Sequence, residues 1–251
     1  MGDLVLAARG LHRSFGSLEV ACDINFALAA GARHALIGPN GAGKSTLVNL
    51  LTGALRPSAG SIWLDGVDVT GLAVHQRVRR GLARTFQINT LLREMSVLEG
   101  VQLAVLERGG QGRALLGGRA GQRRAAEEGF DLLEQLGLAG DASAIVGALA
   151  YGRQRLVEVA MALALRPRVL LLDEPAAGVP PADSHVMLEV IARLPAGIAV
   201  LIIEHDMKLV FRFAERISVL VAGRILTEGS PAEIAADPRV REVYLGGRAH
   251  G

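Results

Sequence analysis

Eight residues constrain this chain more than any others: Gly38-Pro39-Asn40-Gly41-Ala42-Gly43-Lys44-Ser45. A short apolar run at 34–37 precedes them, and apolar residues at helical spacing, Leu47, Leu50 and Leu51, follow. Strand, glycine-rich loop and helix form one half of a βαβ unit. In that setting the stretch is a complete P-loop. Its glycines let backbone N–H groups converge on phosphate oxygens. The start of the following helix adds a partial positive charge. Lys44 is expected to bridge the β- and γ-phosphates, and the Ser45 hydroxyl to ligate Mg²⁺. Gly38, Asn40, Gly41, Gly43 and Thr46 complete the expected nucleotide-binding set.

Other apolar runs fit the same architecture. Residues 169–172, 199–203 and 217–221 are continuously apolar, which suits parallel strands covered on both faces. Val20, Cys22, Ile24, Phe26 and Leu28 alternate as in a half-buried strand, and residues 61–66 read as a strand and turn. A helix is predicted from about Gly152 to Leu165, with Leu156, Val159, Ala160 and Leu163 on one face. Residues 88–149 change character to helical pieces, with a Gly/Arg-rich interruption at 108–121 read as a mobile loop.

Two strand ends carry chemistry. Asp173 and Glu174 follow the run at 169–172, where a P-loop opens if both strands lie parallel in one sheet. Asp173 is expected to hold Mg²⁺ from the second shell, and Glu174 to orient and polarise an attacking water. His205 follows the run at 199–203, and sheet order predicts that it lies near the γ-phosphate.

Composition narrows the class. Half of the 251 residues are apolar and the formal net charge is +2, which excludes intrinsic disorder. Mean hydropathy is +0.34, yet charges or glycines break every apolar run short of the roughly 18–20 residues that a membrane span needs. The single cysteine, Cys22, excludes an intrachain disulfide and reads as a buried small hydrophobe. Residues 1–9 lack the basic start and apolar stretch of a signal peptide. A charge of +2 is too mild to argue for nucleic acid, and none is expected. The basic run Arg77, Arg79, Arg80, Arg84 is expected to be a solvated helix face.

Taken in order, the P-loop, Gln87, Leu149-Ala150-Tyr151-Gly152-Arg153-Gln154-Arg155, Asp173-Glu174-Pro175 and His205 resemble an ATP-binding cassette (ABC) ATPase over nearly the whole chain. The resemblance is greatest to the ATPase subunits of bacterial branched-chain amino-acid importers. Ala83-Arg84-Thr85-Phe86-Gln87, Asp173-Glu174-Pro175-Ala176-Ala177-Gly178, the stretch from Ile203 through His205 to Val210, and Val243-Tyr244-Leu245-Gly246 carry it. It implies an α/β fold: a P-loop NTPase (RecA-like) core with an antiparallel β subdomain and an inserted α-helical subdomain. The core would span 1–87 and 150–251, and the helical insert 88–149. Gln87 would touch Mg²⁺ and the water and join core to insert. Leu149, Ala150, Tyr151, Gly152 and Arg153 would close as the signature over ATP held by another subunit. Phe15 would stack on adenine, with a core phenylalanine as the alternative.

The resemblance implies ATP and Mg²⁺ as cofactors. It implies transmembrane permease subunits, a second ATPase subunit (identical or paralogous) and, indirectly, a periplasmic substrate-binding protein as partners. The chain would sit at the cytoplasmic face of the inner membrane. Permease docking is expected near 87–95, with Leu91, Leu92, Met95, Val97 and Leu98 either lining that groove or packing within the helical insert. Urea or amide import and lipopolysaccharide export remain alternatives. A soluble ABC ATPase acting on ribosomes or DNA is weaker, because such proteins usually carry two cassettes or a long coiled-coil insertion. The chain departs from the common signature at Ala150, Tyr151 and Arg153, where Ser, Gly and Gln are usual. Ala177-Gly178-Val179-Pro180 replaces the usual Ser-Ala-Leu-Asp, and whether Asp183 supplies the missing carboxylate stays open.

Overall fold

The computed structural model describes residues 3–85, 93–109 and 118–246. The chain begins with β1 (Leu4–Phe15), β2 (Leu18–Ala29), β3 (Arg33–Ile37) and α1 (Lys44–Thr52). Next come β4 (Ala59–Leu64), β5 (Val67–Asp68), α2 (Val74–Arg79) and β6 (Leu82–Arg84). Three longer helices follow: α3 (Val97–Arg108), α4 (Arg119–Gln135) and α5 (Tyr151–Ala164). Then β7 (Val169–Asp173), α6 (Pro181–Ala192), β8 (Ala199–Ile203), α7 (Met207–Phe213) and β9 (Arg216–Val221) alternate. The last elements are β10 (Arg224–Gly229), α8 (Pro231–Ala236) and α9 (Pro238–Gly246).

Two sheets form. One is antiparallel, in the order β2-β1-β4-β5; the other has the order β10-β9-β3-β8-β7-β6. In the second, β9, β3, β8, β7 and β6 run parallel and β10 closes the edge antiparallel to β9. The P-loop strand β3 therefore lies between β8 and β9, and β7 lies just beyond β8.

The continuous apolar runs follow from this position. Side chains of a strand alternate between faces, and both faces of this sheet are covered. Ala35, Ile37, Leu170, Leu172, Val200 and Ile202 enter one core with α3, α4 and α5. Leu36, Val169, Leu171, Ala199, Leu201 and Ile203 enter the other, with α1 and the antiparallel sheet. Every position of β3 and β8, and residues 169–172 of β7, are thus buried, and alternation disappears from these runs. It survives in β2, where Ile24, Phe26 and Leu28 are buried between exposed neighbours. Cys22 is buried and free, as its strand position predicts.

The basic run does not form the single solvated face that its spacing predicts. Arg79 and Arg80 are exposed, but Arg77 is 1% exposed. Its guanidinium donates to the carbonyls of Leu50 and Leu51 at 2.8 and 2.7 Å, and to those of Leu72 and Thr70 at 3.1 and 2.9 Å. The end of α1 presents carbonyls that lack their usual helical partners; Gly53 N–H reaches Leu50 O at 3.2 Å, and Arg77 supplies donors to both Leu50 O and Leu51 O. Arg84 lies on β6 and pairs with Asp173.

Helix α5 begins at Tyr151, one residue before the predicted start, with Ala150 as its N-cap. Val97 is fully buried and Leu98 packs against the same core, so these two favour packing among the helices over a docking groove. Leu91, Leu92, Gln87 and the centre of the 108–121 stretch lie outside the described residues. Among the described residues no helix is long and apolar enough to cross a membrane.

Candidate active site

The P-loop turns tightly out of β3. A Cβ at Gly38 would stand 2.2 Å from the Leu220 carbonyl oxygen, and one at Gly43 would stand 2.8 Å from that of Val20. Gly43 also holds φ at 102° as the N-cap of α1, a region that L side chains avoid. Only glycine fits at either place. Helix α1 has no side-chain cap and no acidic residue in its first turn, so its first N–H groups remain available to an anion. Lys44 is buried, and its Nζ donates to the carbonyls of Gly38 and Pro39 at 2.7 and 3.0 Å. Burial pushes its ammonium below the usual lysine value, while Glu174 and Asp173 oppose that shift.

Asp173 ends β7 and Glu174 follows it. Glu174 holds φ at 46°, a left-handed backbone rare for a residue with a side chain. Hydrogen bonds fix this turn. The Glu174 N–H donates to Ile203 O at 2.9 Å, and the Ala177 N–H donates to Glu174 O at 3.0 Å. The Ala176 N–H donates to Glu204 Oε1 at 2.9 Å. Register puts Asp173 beside Ile203, and Ile203 beside Leu36. The two carboxylates therefore stand at the same end of the sheet as the P-loop.

A cavity of about 490 Å³ is lined by Ser45, Arg84, Thr85, Arg155, Asp173, Glu174 and Ala177. Arg84 donates to Asp173 Oδ2 at 2.6 Å and to Asn49 Oδ1 at 2.9 Å. Arg155 forms a buried pair with Glu158 at 2.9 Å. Ser45 and Asp173 line the same cavity and offer hard oxygens of the kind that Mg²⁺, or a water bound to it, takes. No group of three or more His, Cys, Asp or Glu among the described residues could hold an ion alone. Two such oxygens fit Mg²⁺, which keeps waters and takes further oxygens from phosphates.

His205 lines a neighbouring cavity of about 540 Å³, together with Ala176, Gly178, Glu204 and Lys208. Ala177 borders both spaces. The His205 side chain is 62% exposed and its Nδ1 lies 3.8 Å from Glu204 Oε2.

The 149–153 stretch forms the entry to α5. Leu149 closes a short 3₁₀ turn and Ala150 caps the helix without a side-chain bond. Tyr151 accepts a hydrogen bond from Arg155 at 2.6 Å, and the same guanidinium lies over its ring at 4.9 Å. A Cβ at Gly178 would stand 3.2 Å from the Tyr151 ring, so the two departures from the usual motifs touch. Gly152 lies in the first turn of α5. Arg153 pairs with Asp141 and donates to Gly137 O at 2.9 Å. Phe15 ends β1 with 51% exposure and the Arg13 guanidinium 4.7 Å over its ring, which removes the core alternative. The Asp183 side chain and Gln87 lie outside the described part.

Three functional candidates escaped the sequence reading. Arg84 and Arg155 border the cavity, and Glu204 ties the Glu174 turn to β8. Glu204 had a usable signal: a carboxylate directly after a fully apolar strand has to find donors.

The model of the family described as ABC transporter matches residues 21–177. A second, described as branched-chain amino acid ATP-binding cassette transporter, matches residues 224–250. The high-affinity branched-chain amino acid transport ATP-binding protein BraF of Pseudomonas aeruginosa is 39% identical, over 96% of this chain and 98% of its own length. The lipopolysaccharide export system ATP-binding protein LptB of Acidithiobacillus ferridurans is also 39% identical, over 96% of this chain and 97% of its own. The ADP conformation of MJ1267, an ATP-binding cassette of an ABC transporter, superposes with a TM-score of 0.85 at 30% identity, covering 97% of this chain and 99% of that one.

Proposed function

This chain belongs to the ABC transporter family as an ATP-hydrolysing subunit, and we propose that it powers a bacterial importer of branched-chain amino acids. The observation that carries the substrate class is the match at 224–250, which covers β10, α8 and α9 beyond the motifs shared by all cassettes. The likeness to LptB supports a second reading, the ATPase of a lipopolysaccharide exporter.

In this reading the N–H groups of Gly41 and Gly43, the start of α1 and Lys44 bind the phosphates, and Phe15 stacks on adenine. Ser45 would ligate Mg²⁺ and Asp173 would hold it through a bound water, with Gln87 at the same ion; when bound, the ion would offset phosphate charge. Glu174 takes the proton of the attacking water, and His205 contacts the γ-phosphate once the two cavities close around ATP. The N-terminus of α5, with Leu149, Ala150, Tyr151, Gly152 and Arg153 around it, faces the ATP of a second subunit. The nucleotide-binding core spans 1–87 and 150–251 in this reading, and the helical insert 88–149. Permease subunits hold the chain at the cytoplasmic face of the inner membrane, and a periplasmic binding protein delivers the solute to them.

Two variants test the site. Lys44→Ala should weaken nucleotide binding sharply; unchanged affinity overturns the phosphate role. Glu174→Gln should bind ATP and accumulate as an ATP-bound dimer; hydrolysis at the wild-type rate overturns the proton-acceptor role. Uptake of labelled leucine by cells lacking the gene tests the substrate class. Normal uptake with defective lipopolysaccharide export would favour the second reading.

A further inference from the structure

Glu204 is 1% exposed, at the end of the central strand β8. An ionised or polar side chain buried this deeply needs partners, and it has two. Oε1 accepts the Ala176 N–H at 2.9 Å, and Oε2 accepts the His205 N–H at 3.2 Å. Its own N–H reaches Leu36 O of the P-loop strand at 3.4 Å. One residue thus touches the backbone of three segments: the end of β3, the turn after Glu174, and His205.

The turn after Glu174 requires such a tie. Glu174 sits in left-handed backbone, which persists only where its surroundings over-determine it. Ile203 O holds the near side of the turn through the Glu174 N–H. Glu204 holds the far side, two residues on. The same carboxylate sets the start of the His205 segment, whose side chain is otherwise largely exposed.

We infer that Glu204 is a positioning residue that fixes Glu174 and His205 relative to each other and to the P-loop. The role needs a carboxylate, because both oxygens must accept. Glutamine offers one acceptor oxygen and an amide that donates, so one of the two N–H groups loses its partner. Leucine fills similar space and satisfies neither. Burial pushes the Glu204 carboxyl up, with bonds from Ala176 and His205 opposing, so deep placement works against the charge that the contacts use.

The inference rests on the assignment of Glu174 and His205 to hydrolysis. Its test compares Glu204→Gln, Glu204→Leu and Glu174→Gln with the wild-type chain, each folded and matched for melting temperature. Steady-state ATPase gives kcat, and a fluorescent ATP analogue gives affinity. Misplacing a reacting group by about 1 Å costs up to about a hundredfold in rate. We expect kcat to fall roughly tenfold in Glu204→Gln and towards a hundredfold in Glu204→Leu, with affinity within about twofold of wild type because the P-loop contacts persist. Wild-type kcat in both variants, with Glu174→Gln inactive, overturns the positioning role alone. Affinity falling in step with kcat also overturns it. Wild-type kcat in Glu174→Gln overturns the site assignment and this inference with it. If Glu204→Leu fails to fold, the split between kcat and affinity in Glu204→Gln decides.

Discussion

Arg77 carries its charge into the interior because four main-chain carbonyls meet it there. Burial pushes its guanidinium below the usual value, with Asp68 opposing, yet arginine stays protonated at any ordinary pH. Replacing it with Met keeps much of the volume and removes a donor from all four carbonyls, of which Leu50 O keeps the Gly53 N–H. Each orphaned buried acceptor costs about 1 kcal/mol or more, so Arg77→Met should lower unfolding free energy by about 3 kcal/mol. Urea denaturation checks this; a loss under about 1 kcal/mol would show that water replaces the guanidinium. Nothing in the run Arg77, Arg79, Arg80, Arg84 distinguishes its members by type. Burial and partner separate them, and packing decides both: Arg77 meets the end of α1 and the loop before α2, while Arg84 meets Asp173 of β7 and Asn49 of α1.

At the scale of elements, the P-loop was the most legible part. Its glycines, lysine and serine are local in sequence, and the strand and helix around it announce themselves by apolar spacing. The α5 entry was legible as a motif but not as a contact. Tyr151 reaches across to Gly178 on the loop after β7 and supports the Arg155 guanidinium at the cavity wall. Tyr151→Phe keeps the ring and loses a hydrogen bond to a charged group, a cost of about 1.5 kcal/mol. Tyr151→Gly loses the ring as well and adds a helix-propensity penalty of about 1 kcal/mol. Stability should therefore fall in the order wild type, Phe, Gly, as measured by thermal melting. Gly178→Ala, with φ at 76° and the ring 3.2 Å from the new Cβ, should also destabilise. A neutral Gly178→Ala would mean that the loop moves off Tyr151 without strain.

Across the whole molecule, buried His34 ties the two sheets together and leads a polar chain out to the surface. His34 of β3 meets the Phe26 ring of β2 edge-on at 5.1 Å. Its Nε2 lies 2.9 Å from Ser218 Oγ, which donates to Glu228 at 2.7 Å, and Arg216 donates to the same carboxylate. Burial lowers the His34 value from 6.5 to about 4, with Glu228 opposing. Below pH about 6.5 the unfolded chain takes up a proton that the folded chain refuses. Stability should therefore fall as pH drops from about 6.5 towards 4, by about 1.4 kcal/mol at pH 5.5 relative to pH 7.5. His34→Gln, which cannot titrate, should flatten that slope. An unchanged slope, measured by denaturant unfolding at the two pH values, would remove His34 as its source.

The sequence by itself determined the nucleotide chemistry, the α/β class and the family resemblance, because each is encoded in short local patterns: a loop between a strand and a helix, carboxylates after an apolar run, motifs in a fixed order. It also predicted strands buried on both faces from runs without alternation. Only the tertiary structure decided which charges are interior and what they hold. Arg77, Arg84, Arg155 and Glu204 look in sequence like any charged residues, since a charge is solvated until packing removes its water. Arg77, Arg84 and Glu204 take partners from other segments, set by strand order and helix placement, whereas Arg155 is held within α5 by Glu158 and Tyr151. His205 shows the same division: its place at a strand end was legible, while its seat in the neighbouring cavity, joined to the first through Ala177 and tied back by Glu204, came from three segments meeting at one end of a sheet.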